Sequence, residues 1–310
     1  MGRLDGQVVI VTGAGRGLGR AHALFLATEG AKIVVNDLGA TVHGEGADVS
    51  PAMEVTEEIR AMGGAAVASG HDVANWDDAG AMIRLAIETF GDLDGLVNNA
   101  GIVRDRTLAN MSEREWDDVI RVHLKGHAAP TRHALAYWRA QSRAGKSIEA
   151  SIVHTSSISG LAGNFGQANY STAKLGVLAL SRVAALEGGR YGVRSNVVSP
   201  GGRTRIAMTM PGTDDALRAP ETGFDYYDPA NVSPLIAWLI AADCPATAQV
   251  FHITGNQLIV SAMPPILHKL ATEGRWTLGA LDRALPGHLI TPVGIDDFHW
   301  SRWLYTSAPP

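Results

Sequence analysis

Tyr170 and Lys174, four residues apart in "QANYSTAK", share one face of any helix that contains them. A free phenol titrates near 10 and is a poor base at neutral pH. An ammonium fixed ~4 Å away contributes ~4 kcal/mol at an effective dielectric of ~20, or roughly three pKa units toward the phenolate. Desolvation opposes that gain. So paired, a phenol becomes a usable general acid/base. Taken alone, the pair fits a solvated helix face equally well. A reacting oxygen also needs a second hydrogen-bond partner, and Ser157 in "HTSSISG" stands 13 positions before the tyrosine.

A second constellation lies at the N-terminus. "VVIVTGAGRGLGRAHALFLATEG" reads as strand, glycine turn and helix, with Gly13, Gly17 and Gly19 in a TGxxxGxG pattern. The GxGxxG pattern fails, because Leu18 occupies its third glycine position when counted from Gly13 and Gly15. Glycines of this kind let the backbone approach a pyrophosphate, while a helix start offers unpaired N–H groups and partial positive charge. A helix start with flexible glycines is the plainer alternative. Asp37 ends the next apolar run, 18 residues past Gly19, near the ~20 expected of an acid that binds a ribose diol. A carboxylate there repels a 2′-phosphate and favours NAD over NADP. Arg16, inside the glycine loop, argues the other way, and Asp37 carries more weight. Asp72 and Val73 in "HDV" are placed to flank an adenine, and Asn99, Ala100 and Gly101 in "NNAG" to pass near a ribose and nicotinamide.

These groups need a scaffold. "QVVIVTG", "AKIVVND", "AAVASGHDV", "GLVNNAG", "ASIVHTSS", "VRSNVVSP" and "AQVFHITG" read as seven strands. They are near-continuously apolar, so both faces should be buried. Helical patterns at roughly 17–29, 51–62, 76–90, 113–143, 168–187 and 231–241 alternate with them. That rhythm predicts a single Rossmann-type, doubly wound, seven-stranded parallel α/β sheet with helices on both faces. Ligands bind such sheets beyond the strand carboxyl ends. We expect one catalytic domain over 1–261. It includes a substrate loop at 201–230 whose Met208, Met210, Phe224, Tyr226 and Tyr227 fit either an apolar lid or core packing. A C-terminal extension follows over 262–310, packed on the same domain or on a neighbouring subunit. Its Trp276, Trp300 and Trp303 suit capping of the cleft or contact with that neighbour.

Composition narrows the class. The 310 residues are 46% hydrophobic and 18% charged, enough for a large core and against general disorder. A net charge of -5 without a basic cluster argues against nucleic acid. The single cysteine, Cys244, permits no intrachain disulfide and suits a reducing compartment. The N-terminus lacks a signal-peptide pattern, and no apolar run approaches the ~20 residues of a membrane span. A soluble cytoplasmic protein without a metal is expected.

In their order and spacing, TGxxxGxG, NNAG, Ser157, YxxxK and the "SPG" of Ser199–Gly201 resemble the short-chain dehydrogenase/reductase family, over residues 5–260. The resemblance implies hydride transfer between a carbinol carbon and a nicotinamide. Tyr170 would exchange the hydroxyl proton, Lys174 would lower its pKa and hold the cofactor ribose, and Ser157 would polarise the substrate oxygen. Pro200, Gly201 and Thr204 would border the cofactor. The family usually carries Asn in the long fourth helix, and here "VIRVHLKG" puts His123 in that slot, either as a core residue or in a water-borne proton relay.

"VVNDLG", "NNAGIVRDRTLANMSEREWDDVIRVHLKGHAAPTRHA" and "SGLAGNFGQANYSTAKLG" are similar to the group containing the dehydrogenase domain of peroxisomal multifunctional enzyme type 2, also called 17β-hydroxysteroid dehydrogenase type 4. That group implies NAD-dependent oxidation of (3R)-hydroxyacyl-CoA thioesters or steroid 17β-alcohols, and a homodimer or homotetramer. The chain departs from the group around "GGRTRIAMTMP" and in its last 50 residues, and has no hydratase or sterol-carrier segment. An NADPH-dependent 3-oxoacyl thioester reductase is the alternative. A non-catalytic dinucleotide sensor ranks below both, because Ser157, Tyr170 and Lys174 are all present.

Overall fold

In a computed structural model of the chain, residues 2–209, 217–261, 268–271 and 275–289 are described here. Met210, Trp300 and Trp303 lie outside them. The chain divides into two compact units, Met1–Ser261 and Ala262–Pro310.

The first unit is built on one sheet. Its strands are β1 (Val8–Thr12), β2 (Lys32–Asn36), β3 (Ala66–Ser69), β4 (Gly95–Asn98), β5 (Ala150–Thr155), β6 (Val193–Gly201), β7 (Val250–Thr254) and β8 (Gln257–Ser261), in the order 3-2-1-4-5-6-7-8. The seven expected strands are present and parallel. The eighth was not anticipated. It folds back antiparallel on β7 through Gly255, whose φ of 57° suits a reversal. Its alternating exposure gives it the look of an edge strand, with Leu258 and Val260 outward, unlike the continuous runs that betray the others.

Helices cover both faces because both sets of strand residues are apolar. Val9, Val11, Ile33, Val35, Val97 and Val153 pack with α1 (Gly17–Thr28), α2 (Ser50–Ala61) and α8 (Ser233–Ile240). Val8, Ile10, Val34, Leu96 and Ile152 pack with α3 (Trp76–Phe90), α5 (Gly126–Arg143) and α7 (Ala168–Gly188). Burial of each such aliphatic side chain is worth ~1.5–3 kcal/mol. The strand order reverses between β1 and β4, and the crevice at their carboxyl ends is where such sheets take ligands.

The helix expected over 113–143 is not continuous. It comprises α4 (Glu113–Ile120), a wide π turn (Arg121–Lys125) and α5. Ser112 and Glu115 start α4 with reciprocal side-chain-to-backbone bonds. Pro130, which lacks an N–H, stands in the first turns of α5, just past the widened segment. Sequence periodicity does not reveal one extra residue in a turn. Two further helices are short: α6 (Ile158–Ala162) precedes α7, and α9 (Leu278–Ala284) belongs to the second unit. There Thr277 caps α9, and the rings of His268 and His288 meet edge to face at 4.9 Å.

Candidate active site

Gly13 and Gly17 adopt φ of 63° and 55°, which the turn from β1 into α1 requires. A Cβ on Gly19 would collide with the Gly13 carbonyl and lie 2.6 Å from Asn99 Nδ2. Arg16, the N-cap of α1, is extended and gives no side-chain cap, so the first N–H groups of the helix lack a side-chain acceptor. Thr204 faces Gly17, its methyl 3.6 Å from where a Cβ would sit, and Leu18 packs against the core below. An uncapped helix start beside bare backbone fits the pyrophosphate of a dinucleotide.

Asp37, at the end of β2, accepts from the Gly15 amide at 2.8 Å and the Gly39 amide at 2.7 Å, one on each oxygen. The loop thus holds the carboxylate still, and its remaining lone pairs are free to meet ribose hydroxyls. Arg16 is exposed at the same turn. Arg205, which the sequence reading missed, stands close enough to feel both: Arg16 lowers its pKa, after burial, while Asp37 raises it.

Two expected cofactor contacts hold the scaffold together. Asn99 Nδ2 donates to the carbonyls of Thr12 and Gly13, and the amides of Asn99 and Ala100 share Thr12 Oγ1. Asn99 therefore ties β4 to β1. Asp72 accepts from Arg121 Nη1 at 2.8 Å and from the Ala74 amide at 2.9 Å. It ties β3 to the π turn, and Val73 beside it is buried. At the end of β6, Pro200 and Gly201 are half-buried, and a Cβ on Gly201 would strike Thr254.

Tyr170 and Lys174 lie on the inner face of α7, 8% and 2% exposed, so the solvated-face alternative is excluded. α6 presses on this helix through Gly160, where a Cβ would lie 2.7 Å from that of Lys174. Lys174 Nζ donates to the Thr155 carbonyl at 2.6 Å and sits 5.6 Å from the Tyr170 ring centroid. Burial lowers the lysine to about 7. Burial also pushes the Tyr170 phenol up to about 12, the Ser157 side chain pulls it down, and Asp105 pushes it up. This corrects the simple expectation of a lysine-lowered phenol: before any cofactor charge arrives, desolvation outweighs the neighbours. Asp105 was also unforeseen; Gln167 Nε2 donates to it at 2.8 Å. Ser157 caps α6, accepting from the Ser159 amide at 3.2 Å.

His123 stands in the π turn, with its ring edge-on to Tyr170 at 5.0 Å between centroids. Its Nε2 is 2.7 Å from the Ile102 carbonyl and 3.0 Å from the Ile102 amide. Only glycine fits at 101, because a Cβ there would strike the imidazole. Burial first, then Lys174, hold His123 well below the usual histidine range, so the ring is neutral. The structure therefore brings Ser157, Tyr170, Lys174 and His123 together.

The described residues of the loop after β6 include several that are braced. Arg203 pairs with Asp225 and donates to the Leu217 carbonyl at 2.8 Å. Tyr226 stacks edge-on with Tyr227 and donates to Gln257 Oε1 at 3.1 Å, which is the packing alternative for these rings. Met208 and Phe224 remain exposed.

Residues 7–215 match the short chain dehydrogenase family. The chain is 42% identical over 303 residues to peroxisomal multifunctional enzyme type 2 of Mus musculus, covering 97% of this chain and 37% of that protein. It is 43% identical over 258 residues to the peroxisomal hydratase-dehydrogenase-epimerase of Neurospora crassa, 83% of this chain and 27% of that one. The chain thus spans about a quarter to two fifths of these peroxisomal relatives. Hydroxyacyl-CoA dehydrogenase ChsB1 of Mycobacterium tuberculosis is 41% identical over 278 residues, with 87% and 84% covered. A crystal structure of a short chain dehydrogenase from Mycobacterium avium superposes with a TM-score of 0.83 at 46% identity, covering 94% of this chain and 99% of that one.

Proposed function

The chain belongs to the short-chain dehydrogenase family and is an oxidoreductase, and from that premise we propose that it oxidises the secondary alcohol of (3R)-hydroxyacyl-CoA thioesters with NAD. The observation that carries this reading is the buried pairing of Tyr170 with Lys174, beside Ser157 and the neutral His123. Bound nicotinamide would supply the hydride acceptor. The uncapped start of α1, with Gly13, Gly17, Leu18, Gly19 and Thr204, would hold the pyrophosphate. Asp37 would hold the adenosine ribose, Asp72 and Val73 the adenine side, and Ala100, Gly101, Pro200 and Gly201 the inner half of the cofactor.

Ser157 would fix the substrate oxygen and Tyr170 would take its proton. With burial holding the phenol near 12, Tyr170 needs positive charge to become a base. Protonated Lys174, its Nζ 5.6 Å from the ring centroid, would supply part of that charge, and each pKa unit gained is worth about 1.4 kcal/mol. In the reverse direction the protonated phenol is already a donor. Much of the rate would come from positioning.

Hydroxyacyl thioesters rank above 17β-hydroxysteroids because the name of one relative, hydroxyacyl-CoA dehydrogenase ChsB1, carries that chemistry. Arg16 and Arg205 together favour a second reading, NADPH-dependent reduction of 3-oxoacyl thioesters. Homo-oligomerisation is supported by Leu175, Val183 and Leu186, exposed along α7. Among the described residues no helix is long and apolar enough to cross a membrane. The free, buried Cys244 supports a reducing location such as the cytoplasm.

The test is absorbance of reduced nicotinamide with NAD and a (3R)-hydroxyacyl-CoA. Tyr170→Phe should lower kcat at least a thousandfold while NADH still binds; an active Tyr170→Phe enzyme would overturn the assignment. Tighter binding of NADPH than of NADH would select the second reading.

A further inference from the structure

Three pieces of chain meet at the corner of the cleft where Asp37 would hold the adenosine ribose. The glycine turn brings Gly15 and Arg16, and the Gly15 amide donates to Asp37. β2 runs out through Asp37, Leu38 and Gly39. The third piece, the segment entering α2, has no part in the cofactor site described above. Pro51, in the first turn of α2, is buried against the glycine turn. A Cβ on Gly15 would lie 2.7 Å from that of Pro51 and 2.8 Å from Asp37 Oδ2.

Just ahead of Pro51, Asp48 closes the loop that leaves β2. Its amide donates to the Leu38 carbonyl at 2.8 Å. Gly39 adopts φ of 73°, and a Cβ there would strike the Asp48 carbonyl. Asp48 therefore stands backbone to backbone with the two residues that follow Asp37, in a contact that glycine permits. Its side chain is exposed, and Oδ1 accepts from the Ser50 amide at 2.9 Å, at the start of α2.

Charge at this corner is balanced. Arg16 and Arg205 bring two positive charges, and Asp37 and Asp48 bring two negative ones. Arg16 acts on Asp48, and Asp37 acts on Arg205. The Ser50 hydroxyl first, then the Ser50 amide, and last Arg16 hold the Asp48 carboxyl below the usual carboxylate range, against desolvation, so it is ionised at neutral pH. A 2′-phosphate on the ribose held by Asp37 would enter among these groups with a charge of about -1.5 to -2. The arginines alone would attract it. With both carboxylates present, the four charges sum to zero.

We propose that Asp48 is a second cofactor-discriminating residue: its carboxylate, fixed beside the exit of β2, offsets Arg16 and keeps the 2′-phosphate of NADPH out of a corner that carries two arginines. The idea deepens the NAD reading and rests on Asp37 holding the adenosine ribose. Asp37 acts by contact with the ribose hydroxyls. Asp48 acts through space, on the phosphate alone, because an unphosphorylated ribose brings no charge for it to repel. Removing Asp37 by itself therefore leaves half of the opposing charge in place.

The experiment is calorimetric binding of NADH and NADPH to the full chain and to Asp48→Asn, which keeps an acceptor for the Ser50 amide and removes the charge. The substitution should tighten NADPH roughly fivefold and change NADH less than about twofold, and the gain should fade at high salt. Asp48→Ser, a second uncharged acceptor, should reproduce it. Added to Asp37→Ser, Asp48→Asn should give the same further factor. A ratio of NADPH to NADH affinity that matches the parent's in both Asp48 variants overturns the proposal. So does a gain shared equally by the two cofactors, or one undiminished at high salt. A parent chain that binds NADPH more tightly than NADH refutes the NAD reading and leaves the Asp48 ratio to decide this one.

Discussion

Acid should unfold this protein early, and the cause is countable. His22, His123, His127, His154 and His252 are all buried and held neutral, chiefly by desolvation: His22 and His154 at about 3, His252 at about 4, and the other two well below the usual range. In the unfolded chain each titrates near 6.5. Below that pH the unfolded state binds protons that the folded state refuses, so stability falls as pH falls, from 6.5 down to the folded values. Above 7.5 the effect is negligible. At pH 5.5 each histidine costs about 1.4 kcal/mol, and five cost ~7 kcal/mol, against a typical total stability of ~5–15 kcal/mol. Asp94 and Asp105, raised by burial, work in the opposite sense, but nearer pH 4. The perturbation is His22→Leu, which breaks the 2.9 Å link between His22 Nδ1 and Ser233 Oγ that joins α1 to α8. That break costs the same at both pH values, whereas the titration does not. Urea unfolding at pH 7.5 and 5.5 should show wild-type stability dropping by ~7 kcal/mol and the variant dropping by about 1.4 kcal/mol less. Equal drops in the two proteins would refute the reasoning.

Gly19→Ala should destabilise the fold by at least ~2 kcal/mol and abolish dinucleotide binding, since the new methyl meets the Gly13 carbonyl and Asn99; denaturant midpoints and fluorescence titration with NADH check both effects. Asn99→Ala removes two backbone acceptances at Thr12 and Gly13 and should cost ~1–3 kcal/mol without altering the preference between NADH and NADPH. Asp37→Ser should weaken NADH at least tenfold and leave NADPH the same or tighter, and the combination with Arg205→Ala should remove that NADPH gain, as measured by calorimetry.

The fold was legible because strand burial is continuous: the "VVIVT" of β1 has no exposed face, and nothing but a covered parallel sheet accommodates seven such runs. The chemistry was legible where spacing is local, as in Tyr170 to Lys174. What stayed hidden depends on distance. β8 has the alternating pattern of an edge and is short. Arg205 reaches the glycine loop only because β6 ends there, and Asp105 reaches Tyr170 only because the Arg106 amide bonds the Gly166 carbonyl across two loops. Asn99 read as a cofactor contact, yet its amide is spent on the backbone of β1 and the turn that follows it. His127 of α5 meets His154 of β5 only because the helix packs on that face of the sheet.

The wide turn at Arg121–Lys125 has an arithmetic consequence. Each residue of an α-helix advances the azimuth by about 100°. A residue absorbed in a wider loop therefore offsets everything downstream by about that angle. Val119 upstream and Ala134 with Trp138 downstream are buried in different clusters, keyed to different neighbours, and the offset is what lets one rod serve both. Deleting a single residue there would not trim the rod neutrally. It would swing the tryptophan outward or the valine away from Tyr170, so length variation among relatives should be absent from these five positions and tolerated a few turns later, near Gly145.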